Sequence, residues 1–185
     1  MGDRCYVHVQ INPLDWHLVA SIFDSPPELT TFAALYKADK KANDQPVGSR
    51  PSYCWHWDEM ELDNKAIHLM VYEANYGWYD EMEEAALTGA RFVGSHSYGG
   101  EYGPGSYAGY GFTGVHVDTS RDGDIIVPVR GLNEEGTELV ISPDYTEAIK
   151  LYLDARNKVF ASISNLPDSW EEILKLCPTE PKPNG

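Results

Sequence analysis

Arg4 to Ile11 alternates Val7, Val9 and Ile11 with Tyr6, His8 and Gln10, a period-two pattern that predicts a half-buried strand at the start of the fold. The apolar run from Trp16 to Phe23 suits either a second strand or a helical turn. Ser25-Pro26-Pro27-Glu28 then offers an N-cap hydroxyl, a proline at the first helical position and a glutamate three residues beyond the cap. With Leu29, Phe32, Ala33 and Tyr36 on one face, this predicts a helix as far as Ala42. Asn43 to Tyr53 is polar and carries two prolines and a glycine, the composition of a connecting loop.

Ala66 to Glu73 predicts a buried strand, Tyr79 to Leu87 a short helix stopped by Gly89, and Arg91 to Ser97 a further strand. Phe112 to Asp118 and Asp124 to Arg130 are strand-like runs joined through Asp122-Gly123, a common hairpin turn, and Thr137 to Ile141 adds a short strand. Ser142-Pro143 opens a long helix in which Tyr145, Ala148, Ile149, Tyr152, Ala155, Val159 and Ile163 keep helical spacing. Asp168 and Glu171 open a last short helix ending at Leu176. Strands and helices mix without regular alternation. The expectation is therefore one α+β domain over residues 1–177, a mostly antiparallel sheet with two longer and two short helices, and a disordered proline-rich tail over 178–185.

A chain of 185 residues, 42% hydrophobic and 12% aromatic, can bury a core and does not have the composition of a disordered protein. Cys5, Cys54 and Cys177 lie far apart without a Cys-x-x-Cys pair, which predicts reduced thiols and a cytoplasmic setting. No apolar run is long enough to span a membrane, the start lacks the apolar stretch of a signal peptide, and Tyr6 stands where myristoylation requires Ser or Thr. The net charge of −15 opposes direct binding to nucleic acid phosphates or anionic lipid.

That charge is concentrated. Sixteen acids against four bases fall between Pro51 and Glu138, while both flanks are nearly neutral. From Cys54 to Ala90 the acids are Asp58, Glu59, Glu61, Asp63, Glu73, Asp80, Glu81, Glu83 and Glu84, with Lys65 the single base. Early-turn acids suit the helix dipole, which accounts for Asp80 and Glu81 but not for the run from Asp58 to Asp63. The predicted helix supplies no Lys or Arg partner, and Asp80 repels Glu84 one turn on. Such a surface suits a basic partner, and it predicts a non-enzymatic binding domain whose acidic face, Asp58 to Glu84, occupies the nucleic-acid site of another protein.

Between Gly89 and Gly114 nine glycines alternate with Tyr98, Tyr102, Tyr107, Tyr110 and Phe112. Rigid rings among small residues resemble binding loops, so Tyr98, Tyr102 and Tyr107 join the expected contact surface; a bent strand pair with bulges is the structural alternative. The segment lacks the spacing of a phosphate-binding loop, and Ser95 replaces the first glycine of a nucleophile elbow around Ser97. Asp118-x-Ser120-x-Asp122-Gly123 opens like a calcium loop, but Val129 stands where the bidentate Glu belongs, so a hairpin is expected. Six histidines, His8, His17, His56, His68, His96 and His116, show no ligand spacing, and no metal or cofactor is expected.

Two resemblances add to this. His68, Gly105-Ser106-Tyr107 and Glu138 follow the chain order of ADP-ribosyltransferases, a resemblance that implies His68 and Tyr107 hold NAD and Glu138 stabilises the developing charge. Glu73-Ala74-Asn75-Tyr76-Gly77, the short acidic helix and Gly99-Gly100-Glu101-Tyr102-Gly103-Pro104-Gly105 resemble small uncharacterised proteins of bacteriophages and prophages. The second resemblance implies a viral setting, where small acidic proteins inhibit host restriction or CRISPR machinery, several by imitating DNA. A virion structural or assembly role is the remaining alternative.

Overall fold

The computed structural model describes residues 4–44, 57–75, 78–97, 102–120, 125–126, 129–131 and 145–179. Its strands are β1 (Arg4–Ile11), β2 (Glu59–Asp63), β3 (Ala66–Asn75), β4 (Phe92–His96), β5 (Tyr102–Tyr110), β6 (Thr113–Ser120), β7 (Ile125–Ile126) and β8 (Val129–Gly131). The helices are α1 (Trp16–Val19), α2 (Phe32–Asn43), α3 (Tyr79–Leu87), α4 (Tyr145–Ser164) and α5 (Trp170–Leu176). One sheet runs in the order β2-β3-β1-β4-β5-β6-β7, with β8 also on β6, and every pairing is antiparallel. The class is α+β. Asp122-Gly123, Thr137 to Ile141, Ser142-Pro143, Cys54 and the end of the proline-rich tail lie outside the described residues.

Register sorts the side chains onto two faces, because successive strand residues point opposite ways. On one face, which we call inner, Val7, Val9 and Ile11 stand level with Val71, Leu69 and Ile67 of β3 and with His96, Gly94 and Phe92 of β4. The apolar side chains among these join one hydrophobic cluster with Trp16, Phe23, Phe32, Leu35, Met82, Ala86 and Ile173, so α1, α2, α3 and α5 cover that face. On the outer face α4 packs against β4, β5 and β6, through Val159 and Ile163 with Val93 and Tyr110 and through Leu151 and Tyr152 with Val115. α4 also buries Ala66, at the start of β3, against Val159 and Ile163, while Tyr6, His8 and His68 further along the outer face are half-buried and Tyr72 is exposed.

Polar ties hold the layers. Asp15 accepts hydrogen bonds from the Arg91 backbone N–H at 2.9 Å, from Nε at 2.6 Å and from Nη2 at 2.9 Å, and these bonds hold the Arg91 guanidinium above its ordinary pKa. Asn12, fully buried, caps Leu14 N–H through Oδ1 and donates to Ser162 Oγ on α4 at 3.0 Å. Lys65, the base among the acids, donates to Leu166 O at 2.8 Å and pairs with Asp168 at 2.7 Å, so its charge is spent on the α4–α5 junction.

Three local expectations change. The helix expected from Ser25 starts at Phe32, capped by Thr31 Oγ1, because Pro27 holds Pro26 extended and leaves only a 3-10 turn over Pro27–Leu29. The apolar run from Trp16 resolves into the single helical turn α1. The last helix is capped by Ser169, whose Oγ accepts from the Glu172 N–H, and not by Asp168, which is held by Lys65.

Candidate functional site

The acidic segment divides between the two faces. On β2, Met60 and Leu62 turn inward, level with Leu69 and Ile67, so Glu59, Glu61 and Asp63 stand on the outer face. On α3, Met82, Ala85 and Ala86 are buried against the inner face and the acids point away from it. The single acidic face expected over Asp58 to Glu84 is therefore two surfaces on opposite sides of the sheet.

The α3 surface is a groove. Asp80, Glu81, Glu84 and Thr88 share a helical flank and face His17, Leu18, Ser21, Ile22 and Asp24 across an open space of about 590 Å³. Four carboxylates line it and no lysine or arginine does. Glu83 lies off this flank. Beneath the groove, Tyr79 donates its hydroxyl to His96 Nε2 at 2.9 Å, while His96 Nδ1 donates to Ser97 O at 3.2 Å. A carbonyl only accepts, so that bond fixes the tautomer. His116 packs 4.4 Å from the Tyr79 ring, and burial first, then His96, pushes its pKa down to about 3.

The β2 surface is a platform. Tyr6 stacks on Tyr72 at 5.8 Å and His8 on His68 at 5.2 Å, all on the outer face beside Glu59 and Glu61. Asp58 accepts a hydrogen bond from Tyr72 N–H, and the Glu59 carboxylate accepts from the Tyr72 hydroxyl, pushing that phenol up to about 12. Burial lowers the His8 pKa, His68 lowers it further and Glu61 opposes both.

The glycine and tyrosine segment is not a contact loop where it is described. It forms the β5–β6 hairpin, bulged between Tyr102 and Gly105, and Tyr107 is 5% exposed on the inner face, stacked on Phe92 and His116. The glycines answer close approach: a Cβ on Gly105 would meet the His96 ring, and one on Gly114 would lie 2.5 Å from the Tyr107 hydroxyl. Tyr98 and Glu138 lie outside the described residues, and Tyr102 opens β5 opposite Ser120. His68, level with Gln10, and Tyr107, level with Gly94, occupy opposite faces of the sheet, so they cannot hold one NAD between them as the ADP-ribosyltransferase resemblance implies.

Sequence reasoning missed Asp24 and His17, which reach the groove only through the fold, and His8 with Tyr72. The alternation of Met60 and Leu62 with the acids was the available signal for β2. No protein-family model matches the chain, and neither does any curated protein or solved structure. No helix among the described residues is long and apolar enough to cross a membrane.

Proposed function

We propose that the protein is a non-enzymatic, acidic protein-binding domain that seats on the basic nucleic-acid site of a partner protein. The observation that supports this reading is the groove: Asp80, Glu81, Glu84 and Asp24 surround one open space that no lysine or arginine lines. Among the described residues Asp80 and Glu84 have neither a hydrogen bond nor an ion pair, so their mutual repulsion falls when a lysine or arginine from outside enters between them. Three of the four α3 acids thus gather where a cationic side chain is best received, and the field of the whole acidic segment speeds its arrival. The partner class that follows is a basic nucleic-acid-binding protein in the cytoplasm, where the buried free thiols of Cys5 and Cys177 stay reduced. The resemblance to bacteriophage proteins makes a host restriction or CRISPR complex the natural target, inhibited by imitation of DNA.

The test is capture of partners from bacterial lysate on the immobilised protein, followed by elution with duplex DNA. Proteins held at low salt and released by competing duplex are the expected result, with loss of capture in the doubly reversed variant Asp80→Lys, Glu84→Lys. Captured proteins that ignore both the duplex and the reversal would refute the reading.

A further inference from the structure

The outer face carries a second arrangement, formed by His8 of β1 and His68 of β3. His8 Nε2 and His68 Nδ1 lie 3.0 Å apart, with the two rings 8° from parallel. The protons on these rings can be placed. His68 Nε2 lies 3.2 Å from the Asp63 carbonyl, which can only accept, so His68 carries its proton there and turns the Nδ1 lone pair toward His8. His8 must then donate from Nε2. Burial and then His68 lower the His8 pKa, which favours its neutral ring.

We propose that His8 and His68 form a chelate for a late first-row divalent cation such as zinc or copper. A metal-bound imidazole characteristically donates its other ring N–H to a carbonyl or carboxylate, which fixes its tautomer, and His68 already makes that bond to Asp63. Two zinc–nitrogen bonds of about 2.0–2.1 Å at a tetrahedral angle set their nitrogens about 3.3–3.4 Å apart, so the pair must open by a few tenths of an ångström and each ring must turn its lone pair off the N···N line toward the metal. His8 meets the demand by moving its proton from Nε2 to Nδ1, which leaves two lone pairs on the metal and no net proton to release. Among the described residues no three His, Cys, Asp or Glu side chains already converge on one point. The pair therefore supplies two ligands and water completes the shell, with Glu61, level with His68 on β2, adding negative charge nearby. Neutral imidazole donors suit zinc, copper and nickel, whereas calcium and magnesium require oxygen shells. The site lies on the face opposite the groove and stands independently of the proposed binding function.

The experiment is calorimetric titration of the full chain with Zn²⁺, with Ca²⁺ as the control for simple attraction to the acids. One zinc per chain is expected, no comparable calcium binding, and a loss of affinity of about tenfold or more in both His8→Ala and His68→Ala. Glu61→Gln should lose less, and Gln10→Ala, on the same face, should bind like the parent. Imidazole NMR of the unsubstituted protein gives a reading that does not depend on any variant folding: the His8 and His68 ring signals should move first. No zinc binding, zinc affinity retained in the double alanine variant, equal calcium binding, or movement of His17, His96 or His116 in place of the pair would each overturn the proposal.

Discussion

Each face of the sheet carries a histidine pair and an acidic segment, and burial makes them different. On the inner face His96 and His116 are 6% and 7% exposed, sealed beneath Tyr79, and His116 Nε2 has no hydrogen-bond partner among the described residues. On the outer face His8 and His68 are half-buried beside Glu61. The acids divide in the opposite sense. Those of α3 stand around open space, while Asp58 and Glu59 are tied to Tyr72. The inner histidines are therefore structural, while Asp80 and Glu84 of α3 face open space; on the outer face the imidazoles are accessible and some of the carboxylates already occupied.

The largest test of this contrast is pH. His116 binds its proton readily when unfolded, at an ordinary pKa near 6.5, and poorly when folded, at about 3. Its contribution is thus full above pH 6.5 and is lost as pH falls from 6.5 through 3, amounting to about 4–5 kcal/mol by linkage. Denaturant midpoints measured between neutral and acid pH should fall accordingly, and His116→Phe should flatten that slope. A slope unchanged in His116→Phe would show that the inner pair is not sealed.

A smaller effect is expected from filling the space of one glycine. Gly105→Ala drives a methyl into the His96 ring and should cost about 1–3 kcal/mol, whereas Ser106→Ala, half-buried on the outer side of the same strand, should cost little. Equal costs in urea denaturation would break the distinction between the faces. Smaller again is Tyr79→Phe. It removes the hydroxyl that donates to His96 and should cost about 1 kcal/mol, with faster amide exchange confined to α3.

The least change in stability is expected where the acids are available. Asp80→Lys with Glu84→Lys exchanges one like-charged pair for another, a change worth at most a few tenths of a kcal/mol, and should leave thermal melting within about 0.5 kcal/mol of the parent. On β2, by contrast, Glu59→Gln should bring the Tyr72 phenol from about 12 back toward its ordinary value near 10, visible in ultraviolet titration. A phenol that stays high in Glu59→Gln would mean that Glu59 is not its partner.

The elements whose own periodicity is strong were legible: the alternation of β1, the helical spacing of α4 and the stop of α3 at Gly89, whose φ is +81°. Where two local signals compete the reading failed. Ser25-Pro26-Pro27-Glu28 has the residues of a cap, yet consecutive prolines forbid the helical backbone it needs. The glycines of β5 leave two readings open in the sequence, a contact loop and a bent strand pair with bulges; the structure has the second, in which they make room for His96 and Phe92 across the pleat. Met60 and Leu62 announced β2 in a stretch whose charge drew attention first.

The sequence by itself determined the periods, the clustering of charge and the α+β class, because each depends on neighbours a few residues apart. Only the tertiary structure decided which acids stand together and which histidines meet. The β2 acids followed the period of two onto the outer face while α3 crossed to the inner one, and register brought His8 beside His68 across sixty residues of chain. Spacing along a chain constrains one element at a time, whereas a shared site depends on strand order and register, which long-range burial selects.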